Sequence, residues 1–182
     1  HYRRFYVPNN MALVVVGDVD PEVVFKLADQ LFGSLPRREV DWREPASEPL
    51  PDEIRTEVRR SEGAATIVAM AFQAPGISEP RAVCALDLLY TLLGEGEEAW
   101  LSKTLVREKQ LAFGATCDFL TQRYPGLFVI SAVCAPQQEV NLRQALADRV
   151  RELGAGQVSQ EELDRAKKLL YTSFAFTNET FV

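Results

Sequence analysis

Apolar positions organise the middle of the chain. From Leu86 to Leu93 they recur at helical spacing and give way to Gly94-Glu95-Gly96-Glu97-Glu98. They resume from Trp100 to Leu105 and finish in an alternating run from Ala112 to Leu120. That order predicts helix, glycine-acid loop, helix and strand. The first helix is expected over Glu79–Leu93, capped by Ser78, with Ala82, Ala85, Leu86, Leu89, Tyr90 and Leu93 on its apolar face. Trp100, Leu101, Thr104 and Leu105 line the second. The strand puts Phe113, Ala115, Cys117 and Phe119 on one face.

On the N-terminal side, Met11–Val16 is a continuous apolar run, expected as a strand buried on both faces. Asp20-Pro21-Glu22 then starts a helix carrying Val24, Leu27, Ala28, Leu31 and Phe32, which Gly33 stops. Residues 36–52 lose the apolar period and hold four of the ten prolines, so they read as a linker. Ile54–Arg60 alternates like an edge strand, Ser61-Glu62-Gly63 turns, and Ala64–Phe72 returns to complete an expected hairpin. Beyond the central stretch, Leu127–Cys134 is apolar on both faces and is expected at the centre of the sheet. A helix over 138–153 follows. Ser159 and Glu162 then form a capping box for a last helix with Leu163, Ala166, Leu169, Leu170 and Phe174. The fold class is therefore α+β, with an antiparallel or mixed sheet covered by helices. A strand leading through a proline into a helix occurs both after residue 11 and after residue 127, a faint internal echo.

Composition narrows the function. The 182 residues are 47% hydrophobic and 25% charged, enough to bury a core. A net charge of -6 is the wrong sign for tracking phosphates, which excludes a nucleic-acid partner. No apolar run is long enough to span a bilayer. Cys84, Cys117 and Cys134 are widely spaced within apolar segments and read as small buried hydrophobes. His1 is the sole histidine, so a His-based triad or a His-rich zinc site cannot be completed here.

The glycine-acid loop follows a helix and lacks a Gly-Lys-Ser/Thr ending, which excludes a phosphate cradle. Its glutamates 95, 97 and 98 read as a solvated helix N-terminus before they read as a cation site. Arg107 reads as a surface arginine, and Tyr2, Phe5 and Tyr6 as packing residues. No Ser, Cys or Lys has an activating neighbour. From its residues alone this is an α+β unit without a catalytic centre.

One long pattern adds to this. Tyr6-Val7-Pro8-Asn9-Asn10-Met11, the apolar run, Gly17-Asp18-Val19-Asp20-Pro21, the helix and Phe32-Gly33-Ser34-Leu35-Pro36 resemble the pitrilysin/insulinase zinc metallopeptidases. The resemblance is to the branch of mitochondrial processing peptidase and its bacterial relatives. Phe72-Gln73-Ala74-Pro75-Gly76, Leu92-Leu93-Gly94, Leu105–Ala112 and Gln160–Lys167 extend the resemblance over nearly the whole chain. The resemblance implies two similar α+β domains enclosing a peptide. Residues 1–35 would close the first, 36–52 would link, and 53–182 would form most of the second, non-catalytic domain, shortened at its end.

The family's zinc site, His-x-x-Glu-His with a more distant Glu, belongs to the first domain. No residue here is assigned to zinc, which is expected in the catalytic domain of the parent or a partner. The implied partners are that zinc-bearing domain or subunit, a peptide substrate, and a dimer mate. Arg107 matches in context a family arginine that holds the substrate backbone. The accompanying tyrosine position falls near Phe113, one residue short and without the hydroxyl. Gly94 and Gly96 represent the family's glycine-rich loop. The expected function is the non-catalytic wall of a zinc endopeptidase acting on peptides or unfolded proteins, inactive by itself. The alternative is a proteolytically silent scaffold that mediates protein–protein contact. A periplasmic or envelope location is implied by bacterial relatives.

Overall fold

The computed structural model describes residues 1–40, 46, 49, 51–60 and 62–179. The chain divides into two units, His1–Ser47 and Glu48–Val182. Of the expected linker, 36–52, residues 41–45, 47, 48 and 50 lie outside the described residues, as does Ser61 of the expected turn.

In the first unit, a helical turn (α1, Tyr2–Phe5) leads to Pro8–Asn10 and on to α2 (Pro21–Phe32). The two asparagines act as staples. Asn9 exchanges hydrogen bonds with the main chain of Arg38 at 2.9 and 3.1 Å, and Asn10 donates to the Phe5 carbonyl. α2 begins as expected: Pro21 needs no N–H partner, and Asp20 accepts from the Glu22 N–H at 2.9 Å. The Met11–Val16 strand does not form. No second strand lies among the described residues of this unit to share its ladder, so Leu13, Val14 and Val16 stand exposed on unpaired backbone. Tyr2 and Tyr6 stack on each other and stay exposed instead of packing inward.

In the second unit, β1 (Thr66–Ala74), β2 (Gly114–Phe119) and β3 (Gly126–Cys134) form an antiparallel sheet in the order β1-β3-β2. β3 is central, as its apolar run predicts. It pairs with β1 from Thr66↔Cys134 to Ala74↔Gly126, and with β2 from Gly114↔Val133 to Phe119↔Phe128. The expected 54–72 hairpin is replaced by this long-range pairing. Ile54 and Val58 are 96% and 77% exposed. A segment with three arginines and only those two large apolar residues gains little by docking, whereas β3 offers β1 nine paired residues.

One sheet face carries the core. Phe128, Ile130, Ala132, Cys134 and Cys117, with Val68 and Met70, pack against Leu92 and Leu93 of α3 (Pro80–Gly94), Leu101 and Leu105, and Leu142 and Leu146 of α4 (Glu139–Gly154). The other face is bare, with Ile67, Leu127 and Val133 exposed around a Thr116–Ser131 hydroxyl bond of 2.8 Å. β3 is thus central by pairing but buried on one face only. Phe113 is 70% exposed; it precedes β2, although its N–H donates to the Val133 carbonyl of β3 at 2.7 Å.

The helices hold smaller corrections. α3 starts at Pro80 with Glu79 as N-cap and no side-chain bond from Ser78, since proline itself removes one orphan donor. Ala85 and Cys84 sit on its open side, so only Cys117 and Cys134 are buried thiols. Leu101–Glu108 winds as a π-helix, its i→i+5 register visible in the Lys109 N–H to Thr104 carbonyl bond.

α5 (Gln160–Glu179) opens on the expected capping box. Ser159 N–H donates to Glu162 Oε2 at 2.9 Å, and Glu162 N–H donates to Ser159 Oγ at 3.2 Å. Its apolar face is covered at Ala166 but open at Leu169 and Phe174. Ser159→Ala should cost about 1 kcal/mol, the usual value of an N-cap, read as a lowered urea midpoint with an unchanged slope.

Candidate functional site

The residues singled out by sequence meet at one place. α3 ends at Gly94, where an added Cβ would lie 3.1 Å from the Cβ of Cys117, so a side chain would crowd the approach of α3 to β2. Gly96 turns the chain at φ +84°, a left-handed conformation that costs glycine least. Ala99 closes the turn: its N–H bonds the Gly96 carbonyl at 3.1 Å, and its side chain is fully buried. The π-helix follows and returns Arg107 to the loop.

Arg107 Nη2 donates to the Glu97 main-chain carbonyl and, at 2.8 Å, to Glu98 Oε1. Lys103 Nζ lies 3.0 Å from the other Glu98 oxygen. Hydrogen bonds from Arg107, then from Lys103, pull the Glu98 carboxyl down to about 2, so it is ionised at any working pH. The Arg107 side chain remains 46% exposed. Arg107, Gly94 and Gly96 thus form one structure, while Phe113 lies on separate backbone between the π-helix and β2.

The chemistry open to this arrangement is hydrogen-bond donation to a carbonyl or carboxylate. Cys117, the thiol nearest Gly94, is no nucleophile: burial, then Asp118, pushes it up to about 12 and keeps it protonated. A zinc site needs converging nitrogen, sulfur or carboxylate ligands. Among the described residues no three His, Cys, Asp or Glu side chains converge in that way, and His1 stacks on Phe5 at 4.6 Å. The described residues do not fit catalytic zinc.

A second cluster escaped the sequence reading. Arg149 is 8% exposed and bonds Glu162 Oε1 at 2.9 Å and Glu152 Oε2 at 3.3 Å, with its guanidinium 5.6 Å from the Trp100 ring centroid. It borders an open cavity of about 480 Å³ between α4 and the π-helix, also lined by Lys109, Asp148 and Arg151. Its position three residues after Leu146, on the buried stripe of α4, was the available signal: a charge on an apolar face must be paired.

The family described as "Peptidase M16 inactive domain" matches residues 1–170. This chain belongs to that family. Its resemblance to the zinc metallopeptidases is thereby borne out, as is the α+β class. Zinc protease PqqE of Helicobacter pylori is 32% identical over 169 residues, which are 90% of this chain and 37% of that one. A protease structure from the same organism superposes at TM-score 0.80 and 30% identity, covering 97% of this chain and 44% of its own. A peptidase M16 inactive domain from Pseudomonas fluorescens shares the fold at TM-score 0.65 and 21% identity, over 86% of this chain and 37% of that one. This M16 chain spans less than half the length of each of these relatives. None of its helices among the described residues is long and apolar enough to cross a membrane.

Proposed function

We propose that this M16 inactive domain is the non-catalytic wall of a zinc endopeptidase that acts on peptides or unfolded proteins. It pairs with a zinc-bearing domain that supplies the metal and the water-activating glutamate. Residues 1–35 belong with that first domain, 36–52 are the connector, and 53–182 form the wall. The observation that carries this reading is the match of residues 1–170 to an inactive peptidase domain, in a chain whose described residues bring no three His, Cys, Asp or Glu side chains together. The role of this chain is to bind and orient. Arg107 grips a main-chain carbonyl of an extended peptide, the kind of acceptor it already holds in Glu97, and Gly94 and Gly96 set the loop beside it. The bare sheet face supplies apolar surface.

The scaffold reading has one observation in its favour: Arg107 is occupied from within the chain. The test is zinc content and peptidase activity of the tag-free chain, alone and mixed with a zinc-bearing M16 domain. We expect no stoichiometric zinc and no hydrolysis alone, and chelator-sensitive hydrolysis in the mixture. Stoichiometric zinc in the chain alone overturns the assignment. A mixture that assembles without hydrolysing peptide supports the scaffold.

A further inference from the structure

We propose that the Gly94–Glu98 loop is a tethered occupant of the Arg107 guanidinium, so that a peptide gains Arg107 only as the loop lets go. This rests on the reading that Arg107 grips peptide. The loop presents to Nη2 a main-chain carbonyl, from Glu97, and next to it a carboxylate, from Glu98. These are acceptors of the type an extended peptide strand brings, and one guanidinium edge does not serve two such sets at once.

The loop is built to move only in its middle. At one end Gly94 lies against Cys117, and at the other Ala99 is fully buried. Between them Gly96 sits at φ +84°, and glycine passes between positive and negative φ without the barrier a side chain imposes. Release does not strand a charge either. Glu98 keeps Lys103 at 3.0 Å when Arg107 leaves, and Glu97 is almost fully exposed with its carboxylate 4.0 Å from Nη1. The exchange trades one exposed ion pair for another set of hydrogen bonds, so the loop is a competitor of modest strength and not a lock.

The test measures binding of a dye-labelled, end-blocked, uncharged peptide of Ala, Gln and Ser to the full-length protein by fluorescence anisotropy, with chelator present to prevent hydrolysis. Glu98→Gln should tighten binding about two- to fivefold, the range an exposed pair supports. Arg107→Gln should weaken it, and Glu98→Gln should then have no effect in the Arg107→Gln background. Glu108→Gln removes an equal charge without touching these hydrogen bonds and should leave affinity unchanged. Glu98→Asp, which keeps the charge, should bind no more tightly than wild type, and far-UV circular dichroism should show all variants folded.

If Arg107→Gln does not weaken binding, the grip by Arg107 is refuted. If it does weaken binding but Glu98→Gln fails to tighten it, or Glu108→Gln tightens it equally, the tethered occupant is refuted while the grip stands.

Discussion

Leu105→Ala should destabilise the second unit by about 3–4 kcal/mol, enough to consume much of a typical domain's stability. Leu105 is fully buried in the sheet–helix core. Its carbonyl also receives two N–H bonds, from Leu111 at 2.8 Å and Ala112 at 3.3 Å, which fasten the π-helix to the start of β2. Truncation leaves a cavity between elements held by these bonds, so little collapse is available to fill it. Urea denaturation should show a sharply lower midpoint at an unchanged slope. Leu105→Met, close in volume, should lose less than about 1.5 kcal/mol.

Arg149→Ala should cost about 2 kcal/mol. Removing one partner of a fully buried pair costs more, but Glu152 and Glu162 are partly solvated and are not stranded in a dry interior. The loss joins two ion pairs, the packing of Arg149 on Trp100, and the link between α4 and the first turn of α5. Arg149→Lys should recover only part of it, because one ammonium does not reproduce a fork reaching both carboxylates.

The effect has a pH signature. The Glu162 carboxyl is held below its usual value of 4.5, first by the Ser159 main-chain N–H, then by the Ser159 hydroxyl and Arg149. A depressed folded value adds stability that is complete above the unfolded value and disappears as pH falls through the folded one. The gap between wild type and Arg149→Ala should therefore hold at neutral pH and narrow below about pH 4.5. A gap that persists unchanged in acid would assign the loss to Trp100 packing alone.

Local rules made much of this legible in the sequence. Asp20-Pro21 and Ser159/Glu162 cap their helices because capping needs only neighbours along the chain. Gly94 ends α3, and the apolar run of β3 places it centrally. The misses have one physical source. Pairing and cover depend on distant residues, so Ile54–Arg60 looks like a strand and finds no ladder among the described residues, and Phe113 reaches β3 through its N–H yet keeps its side chain exposed. The buried residues of the π-helix, Leu101 and Leu105, are four apart, a spacing that an α-helix would also bury, so the pattern does not separate the two. Arg107 shows the same limit: its hold on Glu97 and Glu98 crosses a loop that no helical spacing rule covers.

The sheet order also dictates a timetable on the ribosome. β1 emerges first, yet its whole ladder is written against β3, with Thr66 waiting for Cys134, while β2 and β3 can zip together from Phe119↔Phe128 as soon as their turn is synthesised. Nine residues, among them Ile67, Val68, Met70 and Phe72, therefore spend the synthesis of α3, the π-helix and β2 without a mate. Distant pairing of this kind is the slow part of folding and the part most open to wrong partners. The late hairpin is the template, and the early strand is the passenger that holdase chaperones are expected to guard.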